Sequence, residues 1–215
     1  MEMRSDSKWI KAESNYQIKI VGNSRYGSQE LDFMNNTVAI SVKINVIKEL
    51  LNRQILKLQE KFNQLISQDN TVLEKLIVSN NENNIQYSTL LLSELYNIRD
   101  TCKAILVSKI ILEDMTKKID NFDDCKKVTE NLSILFSSVC SINSLLIRVS
   151  EFSGSIKLIS NVLKDLLIDM GHLGGNVIDF MESNSQVKKL MDCANALAET
   201  KIKNQVREIN NINIP

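Results

Sequence analysis

The sequence predicts an all-α, elongated protein built on a long helical hairpin. Three observations carry that expectation. Apolar residues recur every three or four positions over most of the chain, a spacing that gathers them on one stripe of a helix. Strong helix breakers are scarce, with six Gly and one Pro in 215 residues. The most turn-prone run of the middle of the chain, Ser79-Asn80-Asn81-Glu82-Asn83-Asn84, falls between two such periodic stretches. Asn suits a turn because it bonds its own backbone and tolerates left-handed conformations.

Residues 1–40 are the least regular part and are expected to form a mobile N-terminal arm. Trp9-Ile10 sits among Lys8, Lys11 and Glu13, and Tyr16-Gln17-Ile18-Lys19-Ile20 alternates like a short strand before Gly22, Asn23, Ser24, Gly27 and Ser28 interrupt any periodicity. Two readings of Trp9 stand side by side. It folds back onto the helical core, or it anchors at a bilayer interface, where amphipathic rings prefer to sit.

The hairpin is expected over residues 41–119. Its first limb carries a seam at Ile44, Ile47, Leu51, Ile55, Leu58, Phe62, Leu65, Val72 and Leu76, with Asp69 alone breaking the rhythm. Its second limb repeats the pattern at Leu91, Leu95, Ile98, Cys102, Ile105 and Leu112. Sustained over so many turns, the spacing approaches a coiled-coil heptad. Then Asp120-Asn121-Phe122-Asp123-Asp124 supplies capping residues for a new helix, which places further helices over 124–170. The seam there runs Val128, Leu132, Leu135, Val139, Ile142, Leu146, Val149, Phe152, Ile156, Ile159, Leu163, Leu166 and Met170. Two consecutive three-residue steps, Leu146–Val149–Phe152, lie beside Ser153-Gly154. A residue missing from the 4-3 pattern overwinds a coiled coil locally, and Gly lowers the cost of a bend. The stretch is either two helices meeting at a hinge or one helix with a defect.

Gly171-His172-Leu173-Gly174-Gly175 reads as a flexible joint over 171–184, without the strand and glycine spacing of a phosphate-binding loop. A last amphipathic helix and tail follow over 185–215. Its narrow apolar face, Val187, Leu190, Met191, Ala194, Leu197, Ala198 and Ile202, is expected to dock weakly as a regulatory latch. Leu190, Ala194, Leu197 and Ile202 are the candidate latch contacts.

Charge and chemistry narrow the function. The 26 basic and 26 acidic residues cancel and are spread nearly evenly, so no bulk attraction to nucleic acid is implied. No apolar run approaches the roughly 20 residues of a membrane-spanning helix. The N-terminus lacks the apolar core of a signal peptide, so a soluble intracellular chain is expected. Cys102, Cys125, Cys140 and Cys193 have neither CxxC spacing nor a nearby His, and are read as reduced thiols; His172 is the only histidine. That leaves no metal cluster or triad, so neither cofactor nor enzymatic activity is expected. On a helical wheel, Lys43, Arg53, Lys57, Lys61 and Lys75 share about 80° of arc beside the first seam, with Glu49, Glu60 and Glu74 next to them. Such a flank is either an ordinary solvated face or a cationic rail for anionic lipid, where each basic residue contributes about 1 kcal/mol.

The order of motifs adds a resemblance. Ser67-Gln68-Asp69-Asn70-Thr71-Val72-Leu73-Glu74-Lys75-Leu76-Ile77 closes the first helix, followed by Leu92-Ser93-Glu94-Leu95-Tyr96-Asn97-Ile98-Arg99-Asp100 and by Val139-Cys140-Ser141-Ile142-Asn143-Ser144-Leu145. With Ala196-Leu197-Ala198-Glu199-Thr200-Lys201-Ile202-Lys203 and the terminal Ile214-Pro215, this resembles the archaeal ESCRT-III-like cell-division proteins, the CdvB family. The resemblance implies an ESCRT-III-like helical bundle with a loosely attached C-terminal helix. It also implies a cytoplasmic subunit that polymerises with itself or with paralogues on the inner membrane face at the division site and remodels it. The first helix here is less basic than is usual in that family. No proline-rich segment follows the last helix, so the family's AAA ATPase is expected as a partner directly or through a paralogue. The rival expectation is a soluble coiled-coil adaptor that dimerises through its seam without touching membrane.

Overall fold

In the computed structural model of the protein, residues 28–120, 125–174 and 180–206 are described, with side chains over 40–119, 130–170 and 185–206. They form five α-helices: α1 (Ser28–Asn81), α2 (Ile85–Asp120), α3 (Cys125–Leu145), α4 (Ser153–Gly174) and α5 (Phe180–Gln205). A short 3-10 turn, Ser150–Phe152, separates α3 from α4. No strand occurs among the described residues, and the chain is all-α. The alternating segment at 16–20, Trp9 and the capping run at 121–124 lie outside them. The chain divides into two units, Met1–Thr37 and Val38–Pro215, and the packing that follows is that of the second.

α1 begins at Ser28 rather than near residue 41. Gly27 is the last strong breaker, and nothing from Ser28 onward opposes a helix even where the apolar rhythm is irregular. The hairpin turn falls where the Asn run predicted. Asn83 takes a left-handed φ of 55°, a conformation Asn adopts more readily than most residues. Asn84 caps α2 by accepting a 3.2 Å bond from the Tyr87 amide on its side-chain oxygen. Beneath the turn the Ser79 and Ser88 hydroxyls meet at 2.9 Å, both buried, and tie the two limbs together.

The seam is the core. Ile47, Leu51, Leu58, Phe62 and Leu65 of α1 are buried, as are Leu91, Leu95 and Ile105 of α2, while Ile44, Ile55 and Ile98 sit half-buried at the edge of the stripe. Each fully buried side chain of this size contributes about 1.5–3 kcal/mol. α2 packs against α3 and α5, and α3 against α4 and α5. The line Leu132, Leu135, Val139, Ile142, Leu146 continues through Ile156, Ile159, Leu163 and Leu166, all buried in the same main cluster as the α1 seam.

Besides the serines beneath the turn, two polar side chains stand on the α1 seam. Gln54 and Asp69 are each 1% exposed and stand at true seam positions, spaced 3 or 4 from Leu51, Leu58, Leu65 and Val72. Each has a partner across an interface, while Gln54 Nε2 has no hydrogen-bond partner among the described residues. Ser155 donates to Gln54 Oε1 at 2.7 Å, and Arg99 grips Asp69.

The irregularity at 146–154 resolves as two helices. The 3-10 turn inserts between them and is pinned into the core by Val149 and Phe152. Gly154 takes no part in the bend. It lies inside α4, and a Cβ placed there would meet nothing within 4 Å. α4 then runs through Gly174, past the expected end at Met170, since a single Gly costs a helix only about 1 kcal/mol.

Candidate functional site

The flank of α1 that carries the five candidate cations is divided by α4. Three links fix α4 antiparallel along this helix: Lys43 with Asp169, Gln54 with Ser155, and Lys61 with Glu151 of the 3-10 turn at 3.2 Å. As the residue number rises on α1 it falls on the partner, which is the signature of antiparallel packing. Lys43 and Lys61 therefore face carboxylates of this same chain. Arg53, Lys57 and Lys75 stand exposed on the outer side. Wheel geometry sets the flank beside the seam, but it holds no information about which helix lies against it.

The outer side of α1 is also apolar in places. Val42, Val46 and Leu56 are 55%, 40% and 71% exposed. At 100° per residue they share an arc of about 100° with Arg53, Lys57 and Lys75. Glu49, Glu60 and Glu74 are exposed within the same arc, so the three cations are accompanied by three carboxylates. A helix face that mixes aliphatic and cationic side chains is chemically suited to a headgroup layer, where the aliphatic part sinks and the cations meet phosphate. These aliphatic residues were missed because they fall off the core stripe, although their position among the cations was visible in the sequence. Trp9 lies outside the described residues.

The last helix sits on the bundle. Val187, Ala194 and Ala198 are buried in the main cluster, with Leu190, Met191 and Ile202 packed against it. Lys103 of α2 donates to Glu199 at 2.7 Å and by that bond holds its carboxyl below the usual carboxylate range. Leu197 is 54% exposed. It lies about 80° around the helix from the Val187–Ala194–Ala198 line, at the edge of so narrow a face.

No group of His, Cys, Asp and Glu that could hold a metal ion occurs among the described residues. No helix among them is long and apolar enough to cross a membrane. Cys102 is buried in the main cluster, whereas Cys140 and Cys193 are exposed free thiols.

No protein-family model matches the chain, and no solved structure matches it. Among curated proteins it is similar to cell division protein B of Sulfolobus acidocaldarius, with 24% identity over 176 residues, 80% of this chain. The match spans 66% of the length of that relative. The chain is thus an all-α protein led by a long hairpin that is similar, over most of its length, to a cell-division protein.

Proposed function

We propose that this chain is a membrane-remodelling polymer subunit of the ESCRT-III type. In this reading it assembles with copies of itself and with paralogues on the cytoplasmic face of an archaeal division site, and it constricts that membrane. The observation that carries the membrane half of the proposal is the outer face of α1, where Arg53, Lys57 and Lys75 stand exposed beside Val42, Val46 and Leu56. Similarity to a cell-division protein supplies the process. The chain does no chemistry of its own in this scheme. An AAA ATPase, reached directly or through a paralogue, would remove subunits.

With a net charge of zero, one subunit should bind lipid weakly. Polymerisation multiplies the contact, because each added subunit brings another cationic face to the same surface. Binding is then cooperative in protein concentration. It also weakens with salt as the Debye length falls from about 10 Å at 0.1 M to about 3 Å at 1 M. The adaptor reading requires a free seam, and the seam residues are covered by this chain's own helices.

Co-sedimentation with anionic liposomes tests the proposal. Arg53→Glu, Lys57→Glu and Lys75→Glu together are expected to abolish binding and leave helicity intact, since all three side chains are exposed. Lys61 is left in place because it engages Glu151. A folded triple variant that binds like the parent removes α1 as the membrane face, and a parent that ignores anionic liposomes removes the membrane function.

A further inference from the structure

We infer that the end of the hairpin, residues 70–98, opens as a unit separate from the bundle, and that the Asp69–Arg99 ion pair is the boundary at which it does so. The apolar core is not continuous along the hairpin. Val72, Leu73, Leu76, Leu91 and Leu95 form their own cluster, contributed by α1 and α2 alone, while the seam up to Leu65 on α1 and from Cys102 on α2 belongs to the main cluster. Ile98, half-buried, packs against both. Beyond the boundary the outward faces of the hairpin are bare, with Val78, Ile85, Leu90 and Tyr96 each more than half exposed. Two helices whose cluster, among the described residues, draws on no third element and has a short seam belong to the low end of local stability.

The ion pair stands where the seam would otherwise run through. Arg99 Nε donates to Asp69 Oδ1 at 2.7 Å and its Nη2 donates to Oδ2 at 3.2 Å, a two-point grip that fixes the rotation and register of one helix against the other. The Asp69 side chain is 1% exposed and that of Arg99 19%. A buried pair of this kind differs from an apolar contact in one respect that matters here. When the hairpin end opens, both charges reach water together and regain their hydration, so the pair opposes opening less than two packed leucines would. Removing one partner has the opposite character, since it strands the other in a site built for two. The pair therefore holds the hairpin in register while letting its end come apart without the bundle.

Native-state hydrogen exchange of the full chain at increasing low urea tests this. In the parent, amides of 70–98 are expected to exchange through an opening with small urea dependence, distinct from the larger opening that exposes 102–119, 132–146 and 156–167. Asp69→Asn should speed exchange in 70–98 tenfold or more and leave the bundle amides within twofold. Replacing both partners, Asp69→Leu with Arg99→Met, makes the seam apolar throughout and should slow exchange in 70–98 toward the bundle rates. A single shared urea dependence for hairpin end and bundle overturns the inference whether or not the variants fold. An Asp69→Asn chain that accelerates both regions equally, or a double variant with no gain in protection over 70–98, overturns the assigned role of the pair.

Discussion

Leu58 and Leu56 stand two residues apart on α1 and should respond to the same substitution very differently. Leu58 is 0% exposed in the main cluster, and Leu56 is 71% exposed on the outer face. Truncating a buried Leu to Ala loses its transfer free energy and leaves a cavity that rigid helices fill poorly, at a cost of about 2–5 kcal/mol. Leu58 is flanked on its own helix by Leu51, Phe62 and Leu65, all buried. A loss of about 3 kcal/mol, inside that range, is therefore expected. In a domain of 150–250 residues 1 kcal/mol moves the midpoint by roughly 2–4 °C, so Leu58→Ala should lower Tm by about 6–12 °C. Leu56→Ala leaves the core untouched, replaces one good helix former by a better one, and should stay within about 0.5 kcal/mol of the parent. Thermal unfolding followed by circular dichroism reads both. Equal shifts for the two variants, or a Leu58→Ala chain that melts with the parent, would refute the assignment of the seam.

The remaining expectations concern the bend, the ion pairs and the buried thiol. Gly154→Ala should raise stability by up to about 1 kcal/mol, because the site is helical and open and Ala restricts the unfolded chain; a loss of stability would show that the bend uses the glycine after all. Lys61→Ala should cost less than about 1 kcal/mol in urea unfolding, as is usual for a partly exposed pair. Burial pushes the Cys102 thiol from 9.0 up to about 12, with Asp69 adding to the rise and Arg99 opposing it. The folded chain thus holds that proton more tightly than the unfolded one. Its stabilising effect is complete below about pH 9 and is lost as pH rises toward 12, at up to about 1.4 kcal/mol per unit. Urea melts across that window should fall less steeply for Cys102→Ala than for the parent, and equal slopes would contradict the buried thiol.

What the sequence made legible was whatever depends on spacing along one helix. Leu51, Leu58, Leu95 and Ile105 are buried because a three- or four-residue step keeps them on one face. The turn at Asn83 and Asn84 was legible because Asn has a local reason to be there. What depends on a second helix was not. Asp69 looked like a break in the seam, and its partner lies 30 residues away across the hairpin. Gln54 sits beside Ile55, the apolar neighbour that matches the pattern, while the Ser155 hydroxyl that donates to Gln54 Oε1 lies 101 residues on. The basic flank admitted two readings, a solvated face or a cationic rail, and neither included Asp169 and Glu151, which engage two of its five cations. No helical wheel carries that information, because it describes one helix and the pairing belongs to two.

Electron microscopy of the purified chain with anionic and with neutral vesicles tests the proposed function most directly. Filaments or coats are expected on anionic vesicles, fewer as salt is raised, and none on neutral ones. Bare anionic vesicles at protein concentrations where the parent is folded would contradict a membrane-remodelling polymer.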